Sequence, residues 1–315
     1  MAAEPLRVVA KGSLGACWYG QYHYVEPWAG CSHGCQYCYA RLRTPVIDKL
    51  RELDTVYENP RPLLPAAELP GRIAAEVRTQ GARIVKLCRY TDIMTPAFVQ
   101  SGLTYEILSA LAKSPVQRII VTTKGLPDGR LLALMREYKA KFSYNAAVRP
   151  AADFALEPHL APLEDRLAAA AVLRRAGVQT TIHLDPLVAG IDDEAVKLRP
   201  FLYDLRRRGL LRVMFSYLLL CDPILERLRD KLPPRLLDRI VAAYDLTRLD
   251  RYLPRDEQTA YYSTRPELKR ASVNRVAGAL RELGFEFALC SLKSTPGPER
   301  GQYRDAKPCD GTFYA

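Results

Sequence analysis

Short runs of β-branched and aromatic residues alternate along this chain with longer stretches whose apolar positions recur at helical spacing. Six runs read as strands: Tyr22–Val25, Arg83–Cys88, Arg118–Thr122, Phe142–Asn145, Gln179–Leu184 and Arg212–Tyr217. Their starts lie roughly 20 to 60 residues apart, room for a crossover helix after each. In Pro162–Ala176, Leu163, Leu167, Ala170 and Ala171 share one side, and Gly177 sits where a helix-ending glycine belongs. Ile107, Leu108 and Leu111 share a face in Thr104–Lys113, as do Val273, Val276, Ala277 and Leu280 in Pro266–Leu283. Thr264 and Glu267 have the spacing of a capping box at the start of that last helix.

Repeats of this kind build a parallel sheet, because each strand is covered by the helix that returns beside it. Periodicity leaves open whether the sheet curls into a full or partial barrel or stays doubly wound. In either arrangement ligands gather at the carboxyl ends of the strands. Thr91-Asp92, Thr123-Lys124, Asn145 and Asp185 lie just past such ends. Pro-rich Asn59–Pro70 reads as a surface connection, and Asp222–Arg255 as an added helical segment.

The chain has 315 residues, enough for a substantial core, and its 48% apolar and 26% charged residues are ordinary globular values. Disorder, collagen and coiled coil are thereby excluded. Met1 to Arg7 contains no apolar stretch of the secretory kind, and runs such as Tyr217–Cys221 are too short to span a membrane. A soluble, cytoplasmic protein without a membrane partner is expected. Lys and Arg number 46 against 35 Asp and Glu, a surplus of +11 concentrated at Arg206–Arg208, Arg248–Arg255 and Arg265–Arg275. That surplus favours nucleic acid, anionic cofactors or acidic small molecules without choosing among them; solvated helix faces account for it equally well.

Eight cysteines change the picture: Cys17, Cys31, Cys35, Cys38, Cys88, Cys221, Cys290 and Cys309. A disulfide framework does not suit a chain of this size without an export signal. Cys31, Cys35 and Cys38 fall in one loop with the spacing Cys-x3-Cys-x2-Cys. Three thiolates on a tight loop hold three corners of a cuboidal [4Fe–4S] cluster and leave the fourth iron open. The competing reading is zinc, which needs a fourth protein ligand that His33 or His23 would have to supply. In that case the chain is a zinc-stabilised binding protein and not an enzyme.

The spacing, with Tyr37 just before the third cysteine, resembles the radical S-adenosylmethionine (SAM) superfamily. The string Cys31–Ala40, Cys-Ser-His-Gly-Cys-Gln-Tyr-Cys-Tyr-Ala, is similar to the spore photoproduct lyase-like group in particular. The likeness continues from about Trp18 to Gly190. Thr91-Asp92 with Pro96, Thr122-Thr123-Lys124, Ser143, Glu157-Pro158 through Arg166, Ala176-Gly177 and Asp185-Pro186 all follow that group's pattern.

The resemblance implies a partial (β/α)6 barrel of the TIM type over residues 1–220. Residues 221–315 would form a C-terminal helical extension and tail packing on it. It implies that Cys31, Cys35 and Cys38 ligate the cluster and that the amine and carboxylate of SAM chelate the open iron. Thr91 and Asp92 would accept from the SAM amine, and Lys124 would pair with its carboxylate. Ser143 would contact the nucleoside, while Tyr37 and Tyr39 border the adenosine. A reductant of the flavodoxin or ferredoxin kind would supply the electron that starts SAM cleavage, and hydrogen abstraction from a substrate would follow.

Spore photoproduct lyases carry a hydrogen-donating cysteine three residues ahead of the matching aspartate. Cys88 stands four ahead of Asp92, and in a regular strand that offset would turn it to the opposite face. Cys88 is therefore read either as a hydrogen donor or as a buried structural cysteine. Because of this imperfect register a small biosynthetic molecule is favoured as substrate. Repair of a nucleic-acid lesion and transfer of the SAM aminocarboxypropyl group are the alternatives. Cys221, Cys290 and Cys309 could hold a second cluster, or the C-terminus could plug the barrel mouth and bring Cys290 or Lys293 to the substrate. Cys17 has no reading.

Overall fold

The computed structural model describes residues 7–12, 22–150, 156–251, 260–290, 303, 306–309 and 312–314. Strand β1, Val9–Lys11, pairs antiparallel with β2, His23–Val25. A two-residue ladder joins β3, Trp28–Ala29, to β4, Arg61–Pro62. Then come β5, Ile84–Leu87; β6, Arg118–Thr123; β7, Phe142–Val148; β8, Gln179–Leu187; and β9, Arg212–Tyr217. The last third supplies a hairpin of β10, Tyr244–Arg251, with β11, Ala260–Thr264, and finally β12, Glu286–Leu289.

Eight of these strands form one sheet in the order β1-β2-β5-β6-β7-β8-β9-β12, parallel from β2 onward. Helices Leu103–Lys113, Gly129–Glu137, Leu163–Arg175, Ala195–Arg207 and Pro266–Glu282 fill the crossovers between parallel strands. The sheet ends at β1 and β12 without joining them, so the barrel is partial, as the sequence resemblance implies. Local chemistry sets the helix limits. Asp128 accepts from the Leu131 amide at 2.8 Å and caps Gly129–Glu137, and Gly177 takes φ +88° after Leu163–Arg175.

Period-two alternation divides the apolar residues. Val25, Val85, Leu87, Val121, Tyr144, Ile182 and Val213 face the helices and form the main core. Tyr24, Ile120, Met214 and Ala288 face the barrel lumen instead. Both faces of the central strands are thus dry, and every residue of β7 is buried.

The C-terminal third is less helical than expected. Helices Asp222–Lys231 and Pro234–Ala242 are present, but β10 and β11 follow, and β12 joins the core sheet beside β9. The expected capping box does not form: Thr264 is drawn into β11 opposite Tyr244, and Arg265 starts the helix with no side-chain cap. Within Asn59–Pro70, Arg61–Pro62 is a short strand, not plain connection, and a helix begins at Leu69.

The tail runs along the β12 edge, where the Cys309 amide donates to Leu289 O at 2.8 Å and the Leu289 amide to Lys307 O at 3.0 Å. Tyr314 then fills the lumen, and its hydroxyl donates to Met214 Sδ at 3.0 Å. The tail therefore plugs the lumen through Tyr314. Cys17 and Lys293 lie outside the described residues.

Candidate active site

One cleft opens at the carboxyl ends of the strands, measuring about 1130 Å3 out to its mouth. Its wall includes Cys31, Cys35, Cys38, Tyr37, Tyr39, Cys88, Thr91, Asp92 and Lys124. Residues scattered over some ninety positions of sequence meet there because parallel strands deliver all their carboxyl ends to the same side.

The cysteine loop follows β3. Gly30 takes φ +90°, and a Cβ there would lie 2.6 Å from Tyr57 O, the atom that accepts the Cys31 amide at 2.7 Å. Gly34 takes φ +71°, and its Cβ would lie 2.5 Å from His159 Cδ2. Both positions require glycine. Cys38 Sγ sits 3.3 Å from the Tyr57 hydroxyl. Burial, with the Asp92 carboxylate adding to it, pushes the Cys31 thiol well up; burial also raises Cys35 to about 12. Metal ligation would have to displace protons from these thiols.

The three sulfurs line one cleft, yet among the described residues no three His, Cys, Asp or Glu side chains converge closely enough to ligate a single ion. A tetrahedral zinc site needs all its donors within about 2.3 Å of one point. A cuboidal cluster takes one thiolate at each of three separated corners, and three soft sulfur donors along the wall of one cleft are the donor set that it needs.

Asp92 joins the loop to the strand ends. It is almost fully buried; Oδ1 accepts from the Thr123 hydroxyl at 2.6 Å and the Met94 amide at 2.8 Å. Oδ2 accepts from the Lys124 amide at 2.7 Å and lies 3.1 Å from His33 Nε2. Burial opposes its ionisation, but His33 and these donors outweigh burial and hold the carboxyl below its ordinary range. The Thr91 hydroxyl donates to Gly30 O, which ties the β5 loop to the cysteine loop.

The Lys124 ammonium donates to Glu157 Oε1 and to Asp185 O, each at 2.8 Å. Glu157 also accepts from the Tyr37 hydroxyl. Burial would raise Glu157, but Lys124 prevails and lowers it. Tyr39 lines the cleft with the Arg43 guanidinium 5.3 Å from its ring centre.

Two expected residues stand differently. Cys88 lines the cleft, as Lys86 does, and lies with Arg89 to Asp92 beyond the end of β5, so strand alternation does not govern the residues between it and Asp92. Ser143 is fully buried as the second residue of β7 and does not line the cleft. Ala147, four residues further on the same face, does.

Glu26 escapes the sequence reading. It is buried and accepts from the amides of Arg89 at 2.8 Å and Tyr90 at 3.1 Å, holding the loop that carries Thr91 and Asp92. Burial pushes its carboxyl up to about 7 against those bonds. Lys86, His183 and Met214 also line the cleft and escape the sequence reading, because their strand pattern reads only as inward-facing; Cys290, expected near the substrate if the tail plugs the barrel mouth, lines it too. Cys290 shares the lumen cluster with Cys309, whereas Cys221 belongs to a different apolar cluster, so the three do not gather.

Among solved structures, spore photoproduct lyase complexed with dinucleoside spore photoproduct aligns at TM-score 0.63 and 14% identity, over 85% of this chain and 75% of that one. A tyrosine variant of spore photoproduct lyase aligns at TM-score 0.63 and 13% identity, over 90% and 80%. Streptococcus suis SuiB bound to precursor peptide SuiA aligns at TM-score 0.50 and 14% identity, over 85% of this chain and 49% of SuiB. By sequence, no family model and no curated protein matches. The likeness bears out, at the level of the fold, the resemblance read from the cysteine motif.

Proposed function

We propose that the chain is a radical SAM enzyme whose Cys31, Cys35 and Cys38 hold a [4Fe–4S] cluster. The observation that carries this reading is the meeting of those thiols with Thr91, Asp92 and Lys124 in one cleft. Bound there, the cluster would supply the electron that breaks a carbon–sulfur bond of SAM and starts radical chemistry.

The protein's own part is placement and exclusion. Asp92, ionised, fixed by three hydrogen-bond donors and 3.1 Å from His33 Nε2, offers negative charge beside the loop where an amine would sit. Lys124 spends two of its three N–H bonds on Glu157 and Asp185 and keeps one for a ligand carboxylate. Tyr39 and the Tyr37 backbone border the space an adenosine would take. The buried lumen below keeps bulk water from the reacting centre. Cys88, on the cleft wall, would return a hydrogen atom to a substrate radical.

A small organic substrate suits a cleft set inside a barrel and walled by Tyr217, Leu218, Leu219 and Met214. The second reading, a nucleic-acid lesion, draws on the dinucleoside bound by spore photoproduct lyase and on the position of Cys88. Duplex binding that weakens steeply with salt would favour the lesion over the small molecule.

Anaerobic reconstitution tests the main proposal. Reduced, iron-loaded protein with SAM should release 5′-deoxyadenosine, and Cys35→Ala should abolish release. Colourless, zinc-containing protein that yields no nucleoside would refute it. Methylthioadenosine as product would instead indicate aminocarboxypropyl transfer. A flavodoxin or ferredoxin should replace the chemical reductant.

A further inference from the structure

The segment after β7 grips the cysteine loop at three successive points. Leu156 O accepts the Gln36 amide at 3.0 Å. Glu157 accepts the Tyr37 hydroxyl. The His159 ring packs against Gly34 so closely that a single Cβ there would overlap it. Residues 34, 36 and 37 are thus matched by 159, 156 and 157, and Leu156, Glu157 and Tyr37 are all buried.

The same Glu157 carboxylate holds the Lys124 ammonium at 2.8 Å, and that ammonium lies 5.6 Å from the centre of the Tyr37 ring. Through Asp185 O the grip extends to β8. One buried carboxylate therefore ties the cysteine loop to the ends of β6 and β8, which no backbone ladder joins to it.

We propose that Leu156, Glu157 and His159 form a clasp on the cysteine loop, with Glu157 as a positioning residue that fixes both Cys35–Cys38 and the free N–H of Lys124. Glu157 acts through Tyr37 and Lys124 and does not itself touch the reacting atoms. The Tyr37 limb stands on geometry alone. The Lys124 limb rests on the proposed SAM reading.

The first measurement needs no cofactor. The reduced, metal-free full chain is treated with iodoacetamide, and alkylation of each cysteine is followed by peptide mass spectrometry. Tyr37→Phe removes one hydrogen bond to the carboxylate. It should speed alkylation of Cys35 and Cys38 about fivefold through easier local opening, with Cys88 and Cys290 unchanged. Glu157→Ala should speed it by about tenfold or more, since both limbs are lost. Rates at Cys35 and Cys38 within about twofold of wild type in both variants would overturn the clasp. A parallel rise at all four thiols in Tyr37→Phe would overturn it as well. The second measurement uses iron-loaded protein: Glu157→Gln should raise the SAM KM about tenfold and leave kcat within about threefold. A fall in kcat at unchanged KM would overturn the Lys124 limb. Wild-type protein that never cleaves SAM would refute the functional proposal while leaving the alkylation result intact.

Discussion

Gly34 and Glu26 show how single residues serve this site. At Gly34 two demands coincide, a positive φ and a neighbour that a Cβ would strike. Gly34→Ala should therefore lower unfolding free energy by about 1–3 kcal/mol in a denaturant titration. Gly129→Ala is the contrast: nothing lies within 4 Å of its Cβ position, so it should be neutral or stabilising by up to about 1 kcal/mol. Glu26 imposes a pH dependence. Its carboxyl stands at about 7 in the folded chain against an ordinary 4.5, so the folded state binds the proton more tightly. The resulting stability is whole below pH 4.5 and vanishes as pH rises through about 7. It amounts to on the order of 3 kcal/mol. Arg89 and Lys86 work against the shift and burial sets it. Glu26→Gln should flatten that part of the stability–pH profile; an unchanged slope between pH 4.5 and 7 would contradict the assignment.

At the scale of the element, the strands were legible because their burial is continuous. Arg118–Thr122 and Phe142–Asn145 carry β-branched and aromatic runs that only a strand covered on both faces tolerates, and β6 and β7 begin where the runs begin. Their ends were legible less well: β7 continues through Ala146, Ala147 and Val148, since alanine gives no strand signal of its own. Helix Gly129–Glu137 depends on a cap visible in sequence only after the fact. Asp128→Ala should lower stability by about 1 kcal/mol, read from the shift in thermal midpoint. The capping box at Thr264 shows the opposite failure. A correct local spacing was overridden by pairing of Thr264 with Tyr244 across the hairpin.

For the whole molecule, the tail is as much a part of the barrel as the strands are. Tyr314 is nearly inaccessible, meets Met214 through its hydroxyl, and lies 5.8 Å from the His183 ring centre. Met214 and His183 in turn line the cleft. Tyr314→Ala should cost about 3–5 kcal/mol by opening a lumen cavity. It should also make the Cys290 thiol more reactive towards iodoacetamide, because that thiol shares the same apolar cluster. A loss below 1 kcal/mol, roughly what an exposed substitution gives, would mean that the tail does not pack as described.

The cysteine loop, the alternation of strand and helix, and Thr91, Asp92 and Lys124 beyond the strand ends were legible in sequence alone. Each is a local pattern: ligand spacing within one loop, or periodicity within one element. Thr123, Asn145 and Asp185, expected past strand ends as well, lie inside β6, β7 and β8, which run on further than their sequence signal. What the tertiary structure decided is depth and closure. Ser143 sits within β7 and Cys88 just past β5, where the register read from sequence turns it away, and only the tertiary arrangement puts Cys88 on the cleft wall and Ser143 below it. The clasp at Glu157, the buried support from Glu26 and the plug formed by Tyr314 join residues between about 60 and 120 positions apart in the chain. No periodicity reaches that far, because such contacts are fixed by how packed layers fill space and not by the preferences of neighbouring residues.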